Sequence, residues 1–327
     1  MSYEDSEIKK IILNKWPKAK IILIREFPEG YNNLVYDVKL NLGDFIVKII
    51  KLKGNEKYVL KQNRIRTLIK KKFRDFPIAK IVGSDYRKRI VDDYYIISEK
   101  INGRSLQKEY SKVNNKSELY EEIGEIYGKM HSFKMKNYGE LDHTLKIVKE
   151  YKSWYSLKIN EARKILRKIE EEKLLSDKII TGCKKHIEKN KSLLRREIGP
   201  CLCHGDAADS NIIIEKVKGK YHVSGLIDFE FARASGATHE IFSGIRSFEK
   251  KYRHKENLVK GYLKWSKLPK EWEKLVFFYQ LMSHLKQLTK LKDAKWRNLS
   301  DSDAKKRKKD LRKKSFSEIK KIIKKDI

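Results

Sequence analysis

The chain has 327 residues, of which 40% are hydrophobic, and it carries a formal net charge of +33 at pH 7. This length accommodates one large two-lobed domain or two smaller ones, and this hydrophobic content suffices for a buried core, which excludes a chain that is disordered throughout. Because no run of about 18 apolar residues occurs and the first residues are acidic and polar, the sequence predicts neither a membrane-spanning helix nor a signal peptide, and we expect a cytoplasmic protein.

The first hundred residues alternate short β-prone runs with helical ones, and no long linker rich in Pro, Gly or Ser interrupts them. A turn at Asn41-Leu42-Gly43-Asp44 is typical of a β-hairpin. The pattern predicts a small sheet with one helix between its third and fourth strands. The predicted elements are helices at Asp5–Trp16 and Glu56–Lys72 and strands at Lys20–Phe27, Leu34–Asn41, Phe45–Ile50, Ile78–Ser84 and Ile90–Ile97.

From Asn102 onward the pattern is mainly helical. Asn115 and Glu118 have the spacing of a capping box, and an apolar stripe follows them at helical spacing. Further helices are predicted at Tyr151–Lys173, at Ser176–Arg196 and in several segments after Leu258.

The densest positive charge lies between Lys305 and Lys325. Clustered lysines release counterions from nucleic-acid phosphates, so a nucleic acid is one candidate partner. Apolar residues recur in the same segment at helical spacing, however, and this predicts a docked helix with a solvated basic face. A dedicated RNA or membrane contact is the alternative, and no motif indicates it.

The three cysteines, Cys183, Cys201 and Cys203, are odd in number, and the last two lie too close in sequence for an ordinary structural disulfide. They also lack the paired spacing of a zinc site. We expect buried thiols rather than a redox or metal role.

One β-hairpin is predicted within the helical part. Two short apolar runs, Ile212–Ile214 and Val223–Ile227, flank the turn Lys218-Gly219-Lys220. A hairpin brings the residues before it and after it side by side. The segment before it reads Cys203-His204-Gly205-Asp206 with Asn211 five residues after the aspartate, and the segment after it reads Ile227-Asp228-Phe229-Glu230.

These polar residues suit phosphoryl transfer. The Asp206 carboxylate can accept the proton of an incoming hydroxyl or orient that hydroxyl. The side-chain oxygens of Asn211 and Asp228 are ligands that Mg²⁺ prefers, and such an ion bridges the oxygens of a nucleoside triphosphate. Since phosphoryl transfer depends on positioning and charge neutralisation more than on covalent chemistry, the set predicts a magnesium-dependent phosphotransferase.

The combination of His-Gly-Asp-x-x-x-x-Asn, a hairpin and Ile-Asp-Phe-Glu resembles the aminoglycoside phosphotransferase family, which has a protein-kinase-like fold and includes choline kinases. The resemblance covers roughly Leu23 to Phe248. It implies an α+β, two-lobed fold with a small N-terminal antiparallel β lobe, here residues 1–101, and a larger helical C-terminal lobe, here residues 102–327.

The resemblance also implies roles for single residues near the hairpin. Asp206 would be the catalytic base, Asn211 and Asp228 the magnesium ligands, and His204 and Gly205 the residues that shape the loop. Two segments depart from the family pattern, Ala207-Ala208-Asp209-Ser210 and Gly236-Ala237-Thr238-His239-Glu240, and both leave the acceptor open. His131 matches a Leu-His-like family position and is predicted to be structural, whereas Glu230 could face the acceptor or brace the metal loop.

A nucleotide site follows from the same resemblance, with ATP as the donor and GTP as the alternative, bound between the lobes. Gly30 and Asn33 match the family's Gly-x-x-Asn turn over the phosphates. Lys48 matches the lysine that holds the α- and β-phosphates. The C=O of Glu99 and the N–H of Ile101 match the hinge groups that meet the adenine edge.

The partner of Lys48 is less well marked. Glu56 is predicted as its carboxylate partner, and Gln62 occupies the position where the family has a glutamate. A glutamine would not hold the lysine by charge.

The acceptor is predicted to be a small hydroxylated molecule, because the helical insert from Tyr151 to Arg196 matches the part of this family that builds the acceptor pocket. Aminoglycoside pockets are acidic, whereas the acids of this insert are interleaved with lysines, so antibiotic resistance is not predicted as the native role. Two alternatives remain. A protein kinase is disfavoured because no long activation segment follows Asp228, and a non-catalytic nucleic-acid-binding or scaffold protein is suggested by the charge and by Gln62.

Overall fold

The structure is a computed structural model that describes residues 5–27, 33–51, 56–242, 248–291 and 300–324. The chain forms two compact units. The first comprises Met1–Asn114, Leu141–Lys146 and Ser210–Glu230, and the second comprises Asn115–Glu140, Ile147–Asp209 and Phe231–Ile327.

The helices and strands follow in chain order. They are α1 (Asp5–Lys15), β1 (Ile21–Phe27), β2 (Leu34–Leu40), β3 (Gly43–Ile50), α2 (Glu56–Lys72), β4 (Ile81–Asp85), β5 (Tyr94–Glu99), β6 (Arg104–Ser105), α3 (Leu106–Glu109), α4 (Lys116–His131), β7 (Gly139–Glu140), α5 (Trp154–Glu171), α6 (Asp177–Asn190), β8 (Cys201–Cys203), β9 (Ile212–Val217), β10 (Lys220–Leu226), β11 (Arg233–Ser235), α7 (Ala237–Ile241), α8 (Phe248–Arg253), α9 (Lys255–Leu263), α10 (Trp272–Leu291) and α11 (Asp301–Lys324).

The first unit contains a five-stranded antiparallel sheet in the order β1-β2-β3-β5-β4. Helix α1 contributes Ile8, Ile11 and Ile12 to the core of this sheet, at the spacing of one helix face. Helix α2 lies between the third and fourth strands in sequence, so the predicted order of elements is confirmed.

The start of β5 differs from the prediction, which placed it at Ile90. The Asp85 carboxylate accepts hydrogen bonds from the N–H groups of Arg87 at 2.8 Å and Arg89 at 2.7 Å. These local bonds hold a bend just before Ile90, the chain stays bent through Asp93, and the strand therefore begins only at Tyr94.

The predicted hairpin is present in the first unit as β9 and β10. At its turn Lys218 and Gly219 have φ values of 48° and 85°, as the tight turn of a hairpin requires. Strand β6 extends this sheet by pairing with β9. A Cβ at Gly103 would lie 2.1 Å from the carbonyl oxygen of Ile214, so only glycine allows the chain to approach the hairpin here.

The second unit is mainly helical, with one small sheet in the order β7-β11-β8. Its main hydrophobic core is built from α5, α6, α10 and α11. Helices α4 and α9 approach closely through glycines, since a Cβ at Gly124 would lie 2.0 Å from the carbonyl oxygen of Leu258. Helix α4 begins one residue after Asn115 as predicted, but the Asn115 side chain makes no capping hydrogen bond, so this half of the predicted capping box is wrong.

The C-terminal basic segment is a docked helix, as predicted. Ser315, Ile319 and Ile322 of α11 are buried, and the hydroxyl of Ser315 lies 3.3 Å from Nδ1 of His284 on α10. The three cysteines are free and buried. Among the helices that the structure describes, none combines the length and apolar character needed to cross a membrane.

Candidate active site

Lys48 lies on β3, a central strand of the five-stranded sheet, between Val35 of β2 and Ile96 of β5. Its ammonium group forms ion pairs with the carboxylates of Asp228 and Glu230, and the distance to Glu230 is 3.1 Å. Burial alone would lower the pKa of Lys48, but the two carboxylates reverse this effect and raise the pKa above its ordinary value. The lysine is therefore a fixed positive charge beside two carboxylates.

Glu230 is held by groups from three segments of the first unit. Its carboxylate accepts a hydrogen bond from the Asn33 amide at 3.2 Å and pairs with Lys48, while its backbone carbonyl accepts one from Lys61 of α2 at 3.2 Å. The Asn33 side chain in turn accepts the N–H of Lys51 at 3.3 Å. Of the two roles left open for Glu230, these contacts favour bracing.

The predicted metal ligands Asn211 and Asp228 lie at the two ends of the hairpin. The N–H of Ile227 donates to the carbonyl of Asn211 at 3.1 Å, which ties the two segments together. Asp228 has a φ of 66°, a backbone conformation that is rare for residues other than glycine, and its side chain is 39% exposed. An amide oxygen and a carboxylate form a hard donor set that fits Mg²⁺.

The predicted hinge is fixed to the same hairpin. The N–H of Glu99 donates to the carbonyl of Lys80 at 2.8 Å, and the N–H of Lys100 donates to that of Asp44 at 2.9 Å. A Cβ at Gly225 would lie 2.3 Å from Cδ1 of Ile101, so the hinge side chain rests on the hairpin backbone. The backbone near Glu99 and Ile101 therefore has a set position within the first unit.

Two predicted residues are not tested by these contacts. Gly30 lies outside the described residues, and Glu56 begins α2 without a described side chain. The alternative partner, Gln62, has a buried Nε2 with no hydrogen-bond partner among the described residues. In the structure Lys48 forms ion pairs with the carboxylates of Asp228 and Glu230. The sequence signal for Glu230 is its position two residues after Asp228 in the Ile-Asp-Phe-Glu segment.

Asp206 is an exposed residue on a buried loop of the second unit. The loop leaves β8 through Gly205, whose φ is 83° and whose Cβ position is 1.9 Å from the carbonyl oxygen of Phe231. The N–H of Asp206 donates to Nδ1 of His204 at 3.3 Å, and its carbonyl accepts the N–H of Ala208 at 2.8 Å. His204 thus shapes the loop through its ring.

Glu240 of α7 holds this loop through hydrogen bonds to its backbone. Its carboxylate accepts hydrogen bonds from the N–H groups of His204 at 2.5 Å and Gly205 at 2.6 Å, and it lies 3.1 Å from Nε2 of His131 on α4. On the other side, Lys251 donates to the carbonyl of Ala207 at 2.6 Å. Sequence reasoning found only a loose family likeness around Glu240, because its partners lie far away in sequence.

The buried pair has strongly shifted pKa values. Burial opposes the charged forms, but His131 and the backbone donors lower the pKa of Glu240 to about 2. Burial likewise opposes a charged His131, yet the neighbouring Cys203 sulfur and the Glu240 carboxylate raise the pKa of His131 to about 10. His131 is fully buried, which favours the predicted structural role.

Comparison with known proteins gives a family match. Residues 23–278 match the model of the phosphotransferase enzyme family, which covers more than half of the chain. The chain belongs to this family. A comparison with curated protein sequences finds no significant match.

Solved structures of this family share the fold. Aminoglycoside phosphotransferase APH(4)-Ia superposes with a TM-score of 0.64 at 12% identity, covering 98% of this chain and 99% of the other. A variant of aminoglycoside 2′-phosphotransferase IIIa gives 0.69 at 13% identity over 98% and 97%. A protein assigned as a fructosamine-3-kinase from Thermobifida fusca gives 0.59 at 13% identity over 95% and 99%. The predicted α+β protein-kinase-like fold is confirmed.

Proposed function

We propose that this phosphotransferase moves the γ-phosphoryl group of ATP to a hydroxyl group of its small-molecule acceptor, in a reaction that requires Mg²⁺. The ion pairs of Lys48 with Asp228 and Glu230 carry the proposal, because they assemble a nucleotide-phosphate and metal set around one buried lysine. Two similar structures support nucleotide use: a thermostable APH(4)-Ia variant is a ternary complex with AMP-PNP and hygromycin B, and APH(2")-IIIa is a complex with GDP and kanamycin.

On the nucleotide side, the Lys48 ammonium group would bind the α- and β-phosphates, and Glu230 would fix its direction. Asn211 and Asp228 would hold Mg²⁺, which supplies charge neutralisation on the phosphate oxygens when bound. The exposed part of the Asp228 side chain leaves room for such an ion, and the left-handed backbone at Asp228 indicates a functional reason for strain.

The remaining nucleotide contacts belong to backbone groups. We assign the adenine edge to the C=O of Glu99 and the N–H of Ile101, which the hairpin supports, and the cover of the phosphates to Asn33 together with Gly30, which lies outside the described residues. Backbone groups of this kind discriminate only weakly between adenine and guanine nucleotides, so GTP is tested as a phosphoryl donor alongside ATP.

On the acceptor side, Asp206 would accept the proton of the attacking hydroxyl or orient this group. Its carboxylate is exposed while the surrounding loop is buried and anchored by Glu240, so the chain can direct one carboxylate without moving the loop. Preorganisation of this kind lowers the cost of positioning the acceptor.

The experiment is a transfer assay with ATP labelled on the γ-phosphate and a panel of hydroxylated metabolites, with and without Mg²⁺. We expect labelled product for at least one acceptor, only when Mg²⁺ is present. Absence of both product and magnesium-dependent ATP hydrolysis over the whole panel would contradict the proposal. Parallel assays with GTP decide the donor.

A further inference from the structure

Four basic side chains lie close enough in the second unit to interact electrostatically, and we call them the basic cluster: Lys158, Arg233, His239 and Lys286. The carboxylate of Glu161, one turn after Lys158 on α5, pairs with two of them. It accepts a hydrogen bond from Lys158 at 2.9 Å and another from Lys286 of α10 at 2.9 Å. Nε2 of His239, on α7, lies 3.2 Å from the ammonium group of Lys158.

Positive charge exceeds negative charge at this place. Burial first, and then the charges of Lys158, Arg233 and Lys286, keep the pKa of His239 well below its usual range, so the imidazole is neutral and accepts the hydrogen bond from Lys158. Among the described residues, Glu161 is the carboxylate that forms ion pairs with this cluster, so one negative charge faces three cations.

The lysine at the centre is nearly buried. The Lys158 side chain is 9% exposed, and its ammonium group stacks 4.6 Å from the centre of the Trp154 ring. Burial lowers the pKa of Lys158 to about 8 although Glu161 opposes the shift, and Arg233 and Lys286 add to the lowering. A cation that is buried among other cations is costly unless a further anion joins it.

Arg233 has an unused donor. Its Nε is buried and has no hydrogen-bond partner among the residues that the structure describes. A buried donor without a partner loses its hydration without compensation. The planar guanidinium suits a carboxylate or a phosphate, which can accept from several of its N–H groups at once.

Strand pairing connects the basic cluster with the catalytic loop. In the second unit Arg233 of β11 lies opposite Cys203 of β8, and Cys203 directly precedes His204-Gly205-Asp206. Trp154, which contacts Lys158, is held by a chain of hydrogen bonds. Its indole N–H donates to the hydroxyl of Tyr279 at 2.8 Å, and that hydroxyl donates to Glu197 at 2.5 Å. Arg233 of the cluster therefore belongs to the same small sheet as the strand that leads into the Asp206 loop, and the cluster has solvent access through Lys286, whose side chain is 47% exposed.

We propose that the basic cluster binds an oxyanion, the phosphate or carboxylate group of an acceptor whose hydroxyl is phosphorylated. That the bound anion is the phosphoryl acceptor rests on the proposed function, whereas the binding of an oxyanion by the cluster does not. Such a site repels a polycationic aminoglycoside and selects a hydroxylated anion.

The first test measures binding without turnover. The full chain is labelled with ¹³C in its histidine rings, and the His239 signal is assigned by comparison with His239→Gln. Inorganic phosphate and acetate are titrated separately against potassium chloride of equal ionic strength. We expect the His239 signal to move with phosphate, with acetate or with both, and the responding ion identifies the type of anion.

Variants show whether the cluster carries the binding. Arg233→Gln and Lys286→Gln should each raise the dissociation constant of the responding anion about tenfold, since each removes a charge-assisted contact. Lys164→Gln removes the same charge from the exposed side of α5 and should leave the dissociation constant unchanged. A His239 signal that does not respond to either anion, or dissociation constants that are equal in all four proteins, would overturn the proposal.

The second test compares acceptors of different charge. Glycerol 3-phosphate and glycerate are assayed against glycerol, and sugar phosphates and sugar acids against the parent sugars and kanamycin. We expect a higher kcat/KM for anionic acceptors, with a KM raised about tenfold by Arg233→Gln. Preference for neutral or cationic acceptors would overturn the acceptor assignment. Anion binding without any transfer would instead leave the cluster as a binding site and contradict the proposed function.

Discussion

Nε2 of His131 lies 3.1 Å from the Glu240 carboxylate, and both side chains are buried in the second unit. Glu240 also accepts the backbone N–H groups of His204 and Gly205. A single ion pair between α4 and α7 thus anchors the backbone of the loop that carries Asp206. The conformation of this loop therefore depends on Glu240, which lies 34 residues after the proposed base, Asp206, in the sequence.

Replacing Glu240 by glutamine should reduce both stability and activity. The variant leaves the charged His131 buried without its carboxylate, which costs about 3 kcal/mol of unfolding free energy. Urea denaturation measures this loss, and the transfer assay measures the accompanying fall in kcat. Glu256→Gln, on the exposed side of α9, is the control and should match the wild type; equal stability of both variants would contradict the anchoring role.

The same pair predicts a pH window. The pKa of Glu240 falls from 4.5 to about 2, so its contribution to stability is complete above pH 4.5 and is lost as the pH falls through 2. The pKa of His131 rises from 6.5 to about 10, so its contribution is complete below pH 6.5 and is lost as the pH rises through 10. The pair stabilises most between pH 4.5 and 6.5.

Denaturation from pH 5 to 10 checks this window. Relative to His131→Gln, the wild type should lose up to about 1.4 kcal/mol of unfolding free energy per pH unit between pH 6.5 and 10. A constant difference between the two proteins over that range would show that His131 does not titrate as described.

Much of the first unit could be predicted because its information is local. Strand alternation, the turn at Asn41–Asp44 and the helical composition of Glu56–Lys72 each mark an element within a few residues. The site is different, since Lys48 and Glu230 are 182 positions apart and meet only through the sheet and the hairpin. The spacing of residues along the chain cannot reveal such a contact. It also could not reveal that Arg233 and Lys286 belong to the same basic cluster.

Glu230 should act as the orienting carboxylate of Lys48. Glu230→Gln keeps a group that can accept from Asn33 but removes the charge beside the lysine, so we expect the KM for ATP to rise about tenfold. Lys48→Met should reduce kcat/KM more strongly, by about 100-fold or more. Steady-state kinetics at varied ATP concentration distinguish the two, and a Glu230→Gln variant with wild-type kinetics would exclude the bracing role.

Gly205 and Gly219 form a matched pair for the loop geometry. Both have a φ near 84°, but a Cβ at Gly205 would lie 1.9 Å from the carbonyl oxygen of Phe231, whereas nothing lies within 4 Å of the corresponding position at Gly219. Gly219→Ala should cost about 1 kcal/mol from the backbone conformation alone. Gly205→Ala should cost at least about 2 kcal/mol more, because the clash is with backbone. Equal unfolding free energies for the two variants would refute the close approach.

The most direct test of the account is Asp206→Asn, compared with the wild type in magnesium-dependent phosphoryl transfer and in ATP binding. If Asp206 directs the acceptor hydroxyl, kcat should fall by about 100-fold or more while the dissociation constant of ATP changes little. Transfer at the wild-type rate by a folded Asp206→Asn protein would contradict the assignment of the catalytic base.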